Sequence, residues 1–435
     1  MEKPICFGSR GTGRITLSDE ELCRRFSGPL LLDYVWWVLR EAEKRKLRTL
    51  YFLARDGYLL YRIAQVFVSR YSLPLECRYF YCSRTSLRMP SYWFIGEEAF
   101  DLLLCNSYRM TLETLFQRAE CSEEEKEAVC KDCGLLHQDR RKLLSKAEWN
   151  EIGKRLRESP VFQDFIRTKS RRAYEPAIAY FRQEGLFSKE TIALVDSGWG
   201  GSIQRSMRQL LASAGYSGSL VGFYFGMFEQ PKSTEDGEYL TWYFHARGQT
   251  LRKIPFNPNL FECLLAAPHG MTVCYEKTGE KICPVLCQSE MTQEGMERIN
   301  AHIRLVVEFA EHRLQNIPFS SFYEEKASAK ARKLVWRYMA HPTQEEAEYY
   351  GNLLFCDDIS DSYQMKLADA SQQDKLKSYF IIPRIVRKVF SRQKARTGCD
   401  LFWPCGTISF LPRWKRPWYR WNFIIWEWIR YLRQK

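Results

Sequence analysis

The sequence predicts an α/β protein with a parallel, Rossmann-like sheet, a helical insertion and a helical C-terminal region. Helical and strand-like apolar patterns alternate over residues 28–95, as in chains whose parallel strands are joined by crossover helices. The alternation returns over residues 189–290, which we interpret as the second part of the same domain. The intervening residues 96–188 are highly charged and mostly helical in pattern, which predicts an inserted helical subdomain.

The first alternating segment follows the order helix, strand, helix, strand. Apolar side chains recur with helical spacing from Leu30 to Leu47, and again from Tyr58 to Phe67. Thr49–Ala54 and Arg78–Cys82 are short runs of apolar and aromatic residues, which are typical of strands. Two strands separated by a helix predict a parallel pair.

The second segment continues this order. Thr191–Val195 and Leu220–Phe225 are predicted strands, and Ile203–Leu211 between them has helical spacing. Strand-like pieces follow near Tyr239–Ala246 and Met271–Tyr275. The sheet is therefore expected to extend beyond the helical insertion.

The two ends of the chain differ from this pattern. Residues 1–27 are polar and Gly-rich, which predicts a flexible N-terminal segment, and residues 291–370 are predicted to be helical. Residues 371–435 form a basic, Trp-rich tail. The whole chain carries a net charge of +13, but residues 381–435 contain thirteen Lys and Arg against two acidic residues, so the remainder is near +2. We expect no nucleic-acid partner for the core.

Other features of composition indicate a cytoplasmic protein. The first residues, MEKPICFGSRGTGR, lack the apolar stretch of a signal peptide. The fifteen cysteines are therefore expected to be reduced thiols. No run of about 18 uncharged apolar residues is present, so no membrane-spanning helix is predicted.

Two predicted strands lead into similar loops. The first is followed by Arg-Asp-Gly in LARDGYL, with Asp56, and the second by Asp-Ser-Gly in LVDSGWGGSIQ, with Asp196. Ligands of open parallel sheets bind beyond the carboxyl ends of the strands. We therefore predict Asp56 and Asp196 as catalytic or hydroxyl-binding carboxylates and as the candidate ligands of a metal ion, with Mg²⁺ the candidate cofactor.

The same loops carry residues suited to an anion. Glycines allow the backbone to approach a ligand, helix N-termini attract negative charge, and an arginine can bind phosphate through two nitrogens. The alternative is that Asp56 and Ser202 merely cap helices and the glycines merely form turns. The residues predicted to bind ligand or phosphate are Arg55, Gly57, Ser83, Arg84, Gly198, Trp199, Gly200, Gly201, Ser202 and Gln204.

The order of the two loops also invites comparison with phosphoribosyltransferases, whose later strand ends in acidic residues before a phosphate loop. One alternative is therefore an enzyme that resembles phosphoribosyltransferases in sheet topology and in reaction. The paired acidic residues of that loop are reduced here to Asp196, and Trp199 is unusual in such a loop.

A second resemblance covers roughly residues 28–407. The segments LYFLARDGYLL, FYCSRTSLRMPS, ALVDSGWGGSIQRSMRQLL, NLFECLLAAPHGMTVCYE and LFWPCGT resemble, in this order, the C-terminal region of predicted hydrolases of the haloacid dehalogenase (HAD) superfamily. Those bacterial proteins occur in gene clusters for capsule and other surface polysaccharides, together with glycosyltransferases. A HAD domain precedes this region in longer members, and we expect this chain to act without one.

The resemblance implies an enzyme that acts on a phosphorylated or nucleotide-activated sugar, with glycosyltransferases of the same pathway as partners. HAD phosphatases use two aspartates two residues apart, and the first of these positions would be Ala54 here. The resemblance therefore supports the pathway better than the hydrolase reaction. The alternative is a non-catalytic phosphosugar-binding or scaffold module that recruits glycosyltransferases.

Two further residues lie in the fourth of these segments. Glu262 stands among apolar neighbours, where it either pairs with an arginine or points into the site. His269 lies in a predicted turn and is a possible site residue, with a structural turn role as the alternative.

The tail holds a candidate membrane-binding helix. Pro417 can start a helix on which five apolar residues share one broad face: Trp418, Trp421, Ile425, Trp428 and Leu432. Trp and Arg together suit the headgroup region of a bilayer, so we expect peripheral attachment to an anionic membrane surface, on the inner face of the cell membrane. The alternative is a helix whose tryptophans pack on the protein's own core.

Overall fold

The computed structural model describes most of the chain. The described residues are 17–105, 110–188, 190–231, 233, 235–288, 291–318, 321, 326–356, 364–380 and 401–433. The basic segment between residues 381 and 400 lies outside them, as do residues 1–16.

The centre of the fold is a five-stranded, all-parallel sheet, which confirms the predicted α/β class. Its strands lie in the order β2-β1-β3-β4-β5. Their bounds are β1 Thr49–Leu53, β2 Glu76–Phe80, β3 Ile192–Trp199, β4 Leu220–Met227 and β5 Glu238–Phe244. The chain moves outward to β2 in one direction and to β4 and β5 in the other, so the strand order reverses between β1 and β3. In such sheets the ligand crevice lies at this reversal, outside the carboxyl ends of the strands.

Helices cover both faces of the sheet, because the strand residues alternate between two apolar cores. Phe52, Val195 and Phe223 belong to one core, and Leu53 and Leu194 to the other. The α-helices in chain order are α1 Asp19–Leu22, α2 Gly28–Lys44, α3 Gly57–Tyr71, α4 Arg84–Arg88, α5 Glu98–Leu103, α6 Leu112–Arg118, α7 Glu123–Asp132, α8 Lys146–Glu158, α9 Pro160–Gln183, α10 Ser202–Ser213, α11 Thr250–Lys253, α12 Pro258–Leu264, α13 Gln293–Gln315, α14 Lys326–Ala340, α15 Gln344–Gly351, α16 Pro404–Ile408 and α17 Arg416–Arg433.

The helices between β2 and β3 form a separate apolar cluster. Its buried residues run from Met89 to Ile166 and include Phe116 and Trp149. The long helix α9 then leads from this cluster back to the sheet, where Phe181 is buried in the second sheet core. The chain can therefore leave the sheet after β2 and return to β3 without disturbing the strand order.

The remaining elements surround the sheet. A hairpin of β6 Thr272–Thr278 and β7 Lys281–Leu286 is antiparallel, as is a small pair of β8 Leu354–Cys356 and β9 Gln364–Lys366. A 3₁₀-helix covers Ala370–Tyr379. Within the described residues, no helix combines the length and apolarity that crossing a membrane requires.

Several predicted boundaries differ from the structure. Strand β3 continues to Trp199 instead of ending at Val195, because its ladder with β4 extends through the pair Gly198–Gly226. Strand β2 ends at Phe80, two residues before the predicted Cys82. Residues 19–27, predicted to be flexible, are helical, and Phe26 is buried in a stack on Tyr338 with ring centroids 4.3 Å apart.

Candidate functional site

The loops after β1 and β3 meet at the reversal of the strand order. The carboxylate of Asp56, directly before α3, accepts a hydrogen bond from the hydroxyl of Ser197 in β3. Asp56 occupies the N-cap position of α3, but its side chain makes no capping hydrogen bond, so the alternative of a mere helix cap does not hold. Its carboxylate instead points across the crevice to the neighbouring strand, and the two predicted aspartate loops form one cluster.

Asp196 lies within β3, not at its end. It is 8% exposed, and its Oδ1 accepts a hydrogen bond from the N–H of Ser197 at 2.9 Å. The hydroxyl of Tyr34, from α2, contacts the carbonyl oxygens of Asp196 and Phe223 at 2.7 and 3.1 Å. The sequence reasoning missed both Ser197 and Tyr34. The position of Ser197 next to Asp196 was a usable signal, whereas nothing local marks Tyr34.

A third carboxylate joins this cluster from α12. Oε1 of Glu262 accepts a hydrogen bond from the indole nitrogen of Trp199 at 2.7 Å. Asn257 caps α12 by accepting a hydrogen bond from the N–H of Leu260 at 2.7 Å, which fixes the start of that helix. Glu262 is therefore bonded to the indole of the β3 loop and directed toward the site.

The three carboxylates share a site that disfavours negative charge. Burial raises the pKa of Asp56, and it raises the pKa of Asp196 well above its usual value, with the negative charge of Asp56 adding to the rise at Asp196. Burial, together with the charge of Asp56, raises the pKa of Glu262 to about 7. A carboxyl group with a pKa near 7, such as Glu262, suits a catalytic acid or base.

Two arginines oppose these shifts. The positive charges of Arg55 and Arg84 each act to lower the pKa of both Asp56 and Glu262. Arg55 is half-buried in the loop after β1, and Arg84 is exposed as the first residue of α4. Cations from two loops thus act on the carboxylate cluster, and exposure leaves Arg84 accessible to an anionic ligand.

The glycines allow a close backbone approach. A Cβ on Gly57 would lie 2.8 Å from the carbonyl carbon of Phe52, and a Cβ on Gly198, at φ +140°, would lie 2.1 Å from the carbonyl oxygen of Gly226. Gly200 is exposed on the crevice loop. Gly201 has φ +69° and directly precedes α10. Peptide bonds Ala54–Arg55 and Gly198–Trp199 are both cis.

Two predicted ligand residues have structural roles. The hydroxyl of Ser83 donates to the carbonyl of Thr272 at 2.6 Å and accepts from the N–H of Ser86 at 3.0 Å as part of a capping box. Gln204 is fully buried; it donates to the carbonyl of Asp236 at 3.0 Å and accepts from the hydroxyl of Tyr224 at 2.9 Å. Both side chains therefore hold parts of the fold together, and their contact with a ligand stays a prediction.

The alternative that Ser202 merely caps α10 does not hold either. Ser202 is the first residue of this helix, and Gly201 occupies the capping position without a side-chain bond. The N-terminal N–H groups of α10 therefore lack a side-chain cap at the position where an anion would bind.

His269 lies beside Arg55 in an aromatic group. Its Nε2 is 2.7 Å from the hydroxyl of Tyr79, and its Nδ1 is 2.8 Å from the carbonyl oxygen of Gly270. The carbonyl can only accept, so Nδ1 carries the proton and Nε2 accepts from Tyr79. Burial lowers the pKa of His269, and the charge of Arg55 lowers it further. His269 is therefore an uncharged side chain with both ring nitrogens hydrogen-bonded, and it lies next to the candidate site.

The described residues include no group of three or more His, Cys, Asp or Glu side chains that could hold a metal ion together. Mg²⁺ is commonly bound by one or two carboxylates and completed by water and substrate phosphate. Asp56 and Asp196 remain a predicted Mg²⁺ pair on that basis.

Comparisons with known proteins give no family assignment. No protein-family model matches this chain, and no curated protein matches it.

Proposed function

We propose that this chain is an enzyme that acts on a phosphorylated or nucleotide-activated sugar in bacterial surface-polysaccharide assembly. The observation that carries this proposal is the hydrogen bond between Ser197 and Asp56 at the reversal of the strand order. It joins the loop after β1, which carries Asp56 and Arg55, to strand β3, which carries Asp196 and leads into the glycine-rich turn. Small ligands of parallel α/β sheets bind at this position.

The phosphate of the substrate is assigned to the basic side of the crevice. Arg55 and Arg84 supply positive charge, and the uncapped start of α10 supplies backbone N–H groups. The exposed Gly200 leaves room for phosphate oxygens to approach the main chain.

The sugar is assigned to the carboxylate side. Glu262, with a pKa of about 7, holds or releases a proton at the pH of the cytoplasm and acts as the general acid or base. Asp56 and Asp196 bind sugar hydroxyls. They are also the carboxylates that would hold a Mg²⁺ ion, which would supply positive charge to the substrate. The resemblance to HAD-associated proteins supports this substrate class. The phosphoaspartate reaction of HAD phosphatases is not proposed, because Ala54 stands at the required position.

Turnover by the purified full chain tests the proposal. Hexose phosphates and nucleoside diphosphate sugars are incubated with the protein, with and without Mg²⁺, and products are followed by ³¹P NMR. We expect one substrate class to react, Glu262→Gln to abolish turnover with little loss of binding, and Arg84→Ala to weaken binding.

Asp236→Asn is the matched control, because Asp236 is a buried aspartate before β5, at the opposite edge of the sheet from the site. Binding that depends on Arg84 without any turnover would favour the non-catalytic binding module. Neither binding nor turnover with any member of either class would contradict the proposal.

A further inference from the structure

The C-terminal helix α17 displays a row of exposed tryptophans. Trp414, just before the helix, is 77% exposed, and Trp418, Trp421 and Trp428 are 57%, 56% and 50% exposed. The rings of Trp418 and Trp421 stack with centroids 5.8 Å apart. Their spacing of three, four and seven residues places them on one side of the helix. Soluble proteins rarely expose apolar side chains of this size in one continuous row.

The opposite side of α17 packs on the protein. Asn422, Phe423 and Glu427 are buried, and the rings of Phe423 and Tyr379 meet at 5.2 Å in an edge contact. The sequence left open whether the tryptophans face the core or the outside. The helix does pack on the protein, as the alternative of a core-docked helix required. It packs through the face that carries Phe423 and Glu427, so the tryptophans stay exposed to solvent.

Arg413 and Lys415 place positive charge at the start of this row. Residues 413–433 contain six Lys and Arg and one acidic residue, Glu427. Glu427 is buried and pairs with Arg430 at 3.1 Å, so it adds little negative charge to the surface. Arg413 is exposed, and Nζ of Lys415 lies 4.9 Å from the centre of the Trp414 ring. The exposed tryptophans therefore suit an apolar layer of a partner, and the nearby cations suit a negatively charged surface above that layer.

We infer that α17 binds the surface of a membrane that contains anionic lipid, lying in the plane of the headgroups. Indole rings concentrate at the boundary between headgroups and acyl chains, and each nearby Lys or Arg adds attraction to anionic lipid. A helix of 18 residues spans about 27 Å, which suits an in-plane arrangement of the whole row. This inference is independent of the site at the sheet edge.

Vesicle binding by the full-length protein tests the inference. Binding is measured by co-sedimentation with vesicles of phosphatidylcholine, with and without phosphatidylglycerol. We expect binding to the anionic vesicles, and a roughly tenfold or greater loss of affinity in the variant Trp418→Ala, Trp421→Ala and Trp428→Ala. Point substitutions are preferable to deletion, because removing α17 would uncover the surface on which Phe423 packs.

Leu251→Ala is the matched control, because Leu251 is a large, 77% exposed apolar residue outside the tail. It should bind vesicles as the wild type does. Arg413→Glu with Lys415→Glu should weaken binding chiefly at low salt, since the Debye length falls from about 10 Å at 0.1 M to about 3 Å at 1 M.

A second measurement uses the unaltered protein. Lipids brominated near the headgroup end of the acyl chains should quench its tryptophan fluorescence, which requires no variant to fold. The inference is overturned if the wild type ignores anionic vesicles, or if the triple variant binds them as well as the control. It is also overturned if the wild type is a dimer, the triple variant is a monomer, and neither protein binds vesicles. The row would then be a dimer interface.

Discussion

The hydroxyl of Ser197 donates a hydrogen bond to the carboxylate of Asp56, although the two residues are 141 positions apart in the chain. This bond connects the loop after β1 to the neighbouring strand β3. It also provides the carboxylate with a donor that partly offsets the cost of its burial. The loop after β1 carries Arg55 and β3 leads into the glycine-rich turn, so the bond positions these two parts of the candidate site relative to each other.

Ser197→Ala should destabilise the protein by about 1–2 kcal/mol, because it removes a buried donor from a carboxylate that is already poorly solvated. The pKa of Asp56 should rise further, since the Ser197 hydrogen bond lowers it. Urea unfolding of the purified protein measures the change. Ser202→Ala is the control, as Ser202 makes no capping bond, and it should change the free energy of unfolding by less than about 0.5 kcal/mol. Equal effects of the two substitutions would contradict the structural role of the Ser197 hydroxyl.

Asp196→Asn should stabilise the protein while weakening ligand binding. Asn keeps the oxygen that accepts from the Ser197 N–H but removes a charge that burial and Asp56 disfavour. One pKa unit corresponds to about 1.4 kcal/mol, so we expect a gain of about 1 kcal/mol or more in the free energy of unfolding at pH 7. Urea unfolding measures this gain, and titration with a sugar phosphate measures the loss of binding.

The pH dependence of that gain has a definite sign. The pKa of Asp196 is raised on folding, so the unfolded chain loses its proton first as the pH rises above about 3.8. Wild-type stability therefore falls with rising pH until the folded pKa is passed, and the variant lacks this fall. The advantage of Asp196→Asn should be small near pH 4 and larger at pH 7. A constant difference across this range would show that the charge of Asp196 is not the cause.

The sequence predicted the sheet well because β1, β2 and β3 are short apolar runs separated by helical periodicity, and parallel pairing follows from that alternation. The proximity of Asp56 to the β3 loop was predictable for the same reason. The hydrogen-bond partners of the site side chains could not be predicted from the sequence. Whether Asp56 caps α3 or crosses to Ser197 depends on the distance between strands, which no local pattern contains.

The internal hydrogen bonds of Gln204 and Ser83 were not predicted, and the two cases have a common physical reason. Both are polar residues near a glycine-rich turn or a strand end, where ligand contacts and internal hydrogen bonds look alike in sequence. Gln204 serves the connection before β5, and Ser83 serves the start of β6, through carbonyl groups more than 30 residues away. Only the folded arrangement of the strands shows these acceptors. Glu262 was predicted either to pair with an arginine or to point into the site, but its hydrogen bond to the indole of Trp199 could not be predicted.

Glu262→Gln should remove a pH-dependent change in anion binding. As the pH rises through about 7, Glu262 ionises and its negative charge offsets those of Arg55 and Arg84. Sulfate is a suitable probe, because its own charge is constant from pH 6 to 8, unlike that of phosphate. Wild-type affinity for sulfate should fall by roughly fivefold over this range, whereas the affinity of the variant should stay nearly level.

The stability of the same variant provides a second reading. The pKa of Glu262 is raised from 4.5 to about 7, so ionisation costs the folded protein stability as the pH rises between these values. Melting temperatures from pH 5 to pH 8 should decline less in Glu262→Gln than in the wild type. Titration of His269 cannot cause a decline in melting temperature above pH 6.5, because its pKa in the folded protein is lowered below that value. Identical pH profiles for both proteins would exclude Glu262 as the titrating group.

Gly198→Ala should prevent the strand from closing against β4, whereas Gly200→Ala should be tolerated. A Cβ on Gly198 would lie 2.1 Å from the carbonyl oxygen of Gly226, and its φ of +140° strains any other residue. We expect a loss of about 3 kcal/mol or more, or no soluble protein. Gly200 is exposed, and a Cβ there meets only the flexible end of Glu229 at 3.4 Å.

The paired comparison separates the role of glycine in the fold from its role in the site. Gly200→Ala should leave the unfolding midpoint within experimental error, because the added methyl group displaces no packed atom. It should still weaken sulfate binding, since the methyl occupies the side of the loop where an anion approaches the backbone. Unchanged sulfate binding in Gly200→Ala would place the anion away from this loop and leave Arg55 and Arg84 as its main contacts.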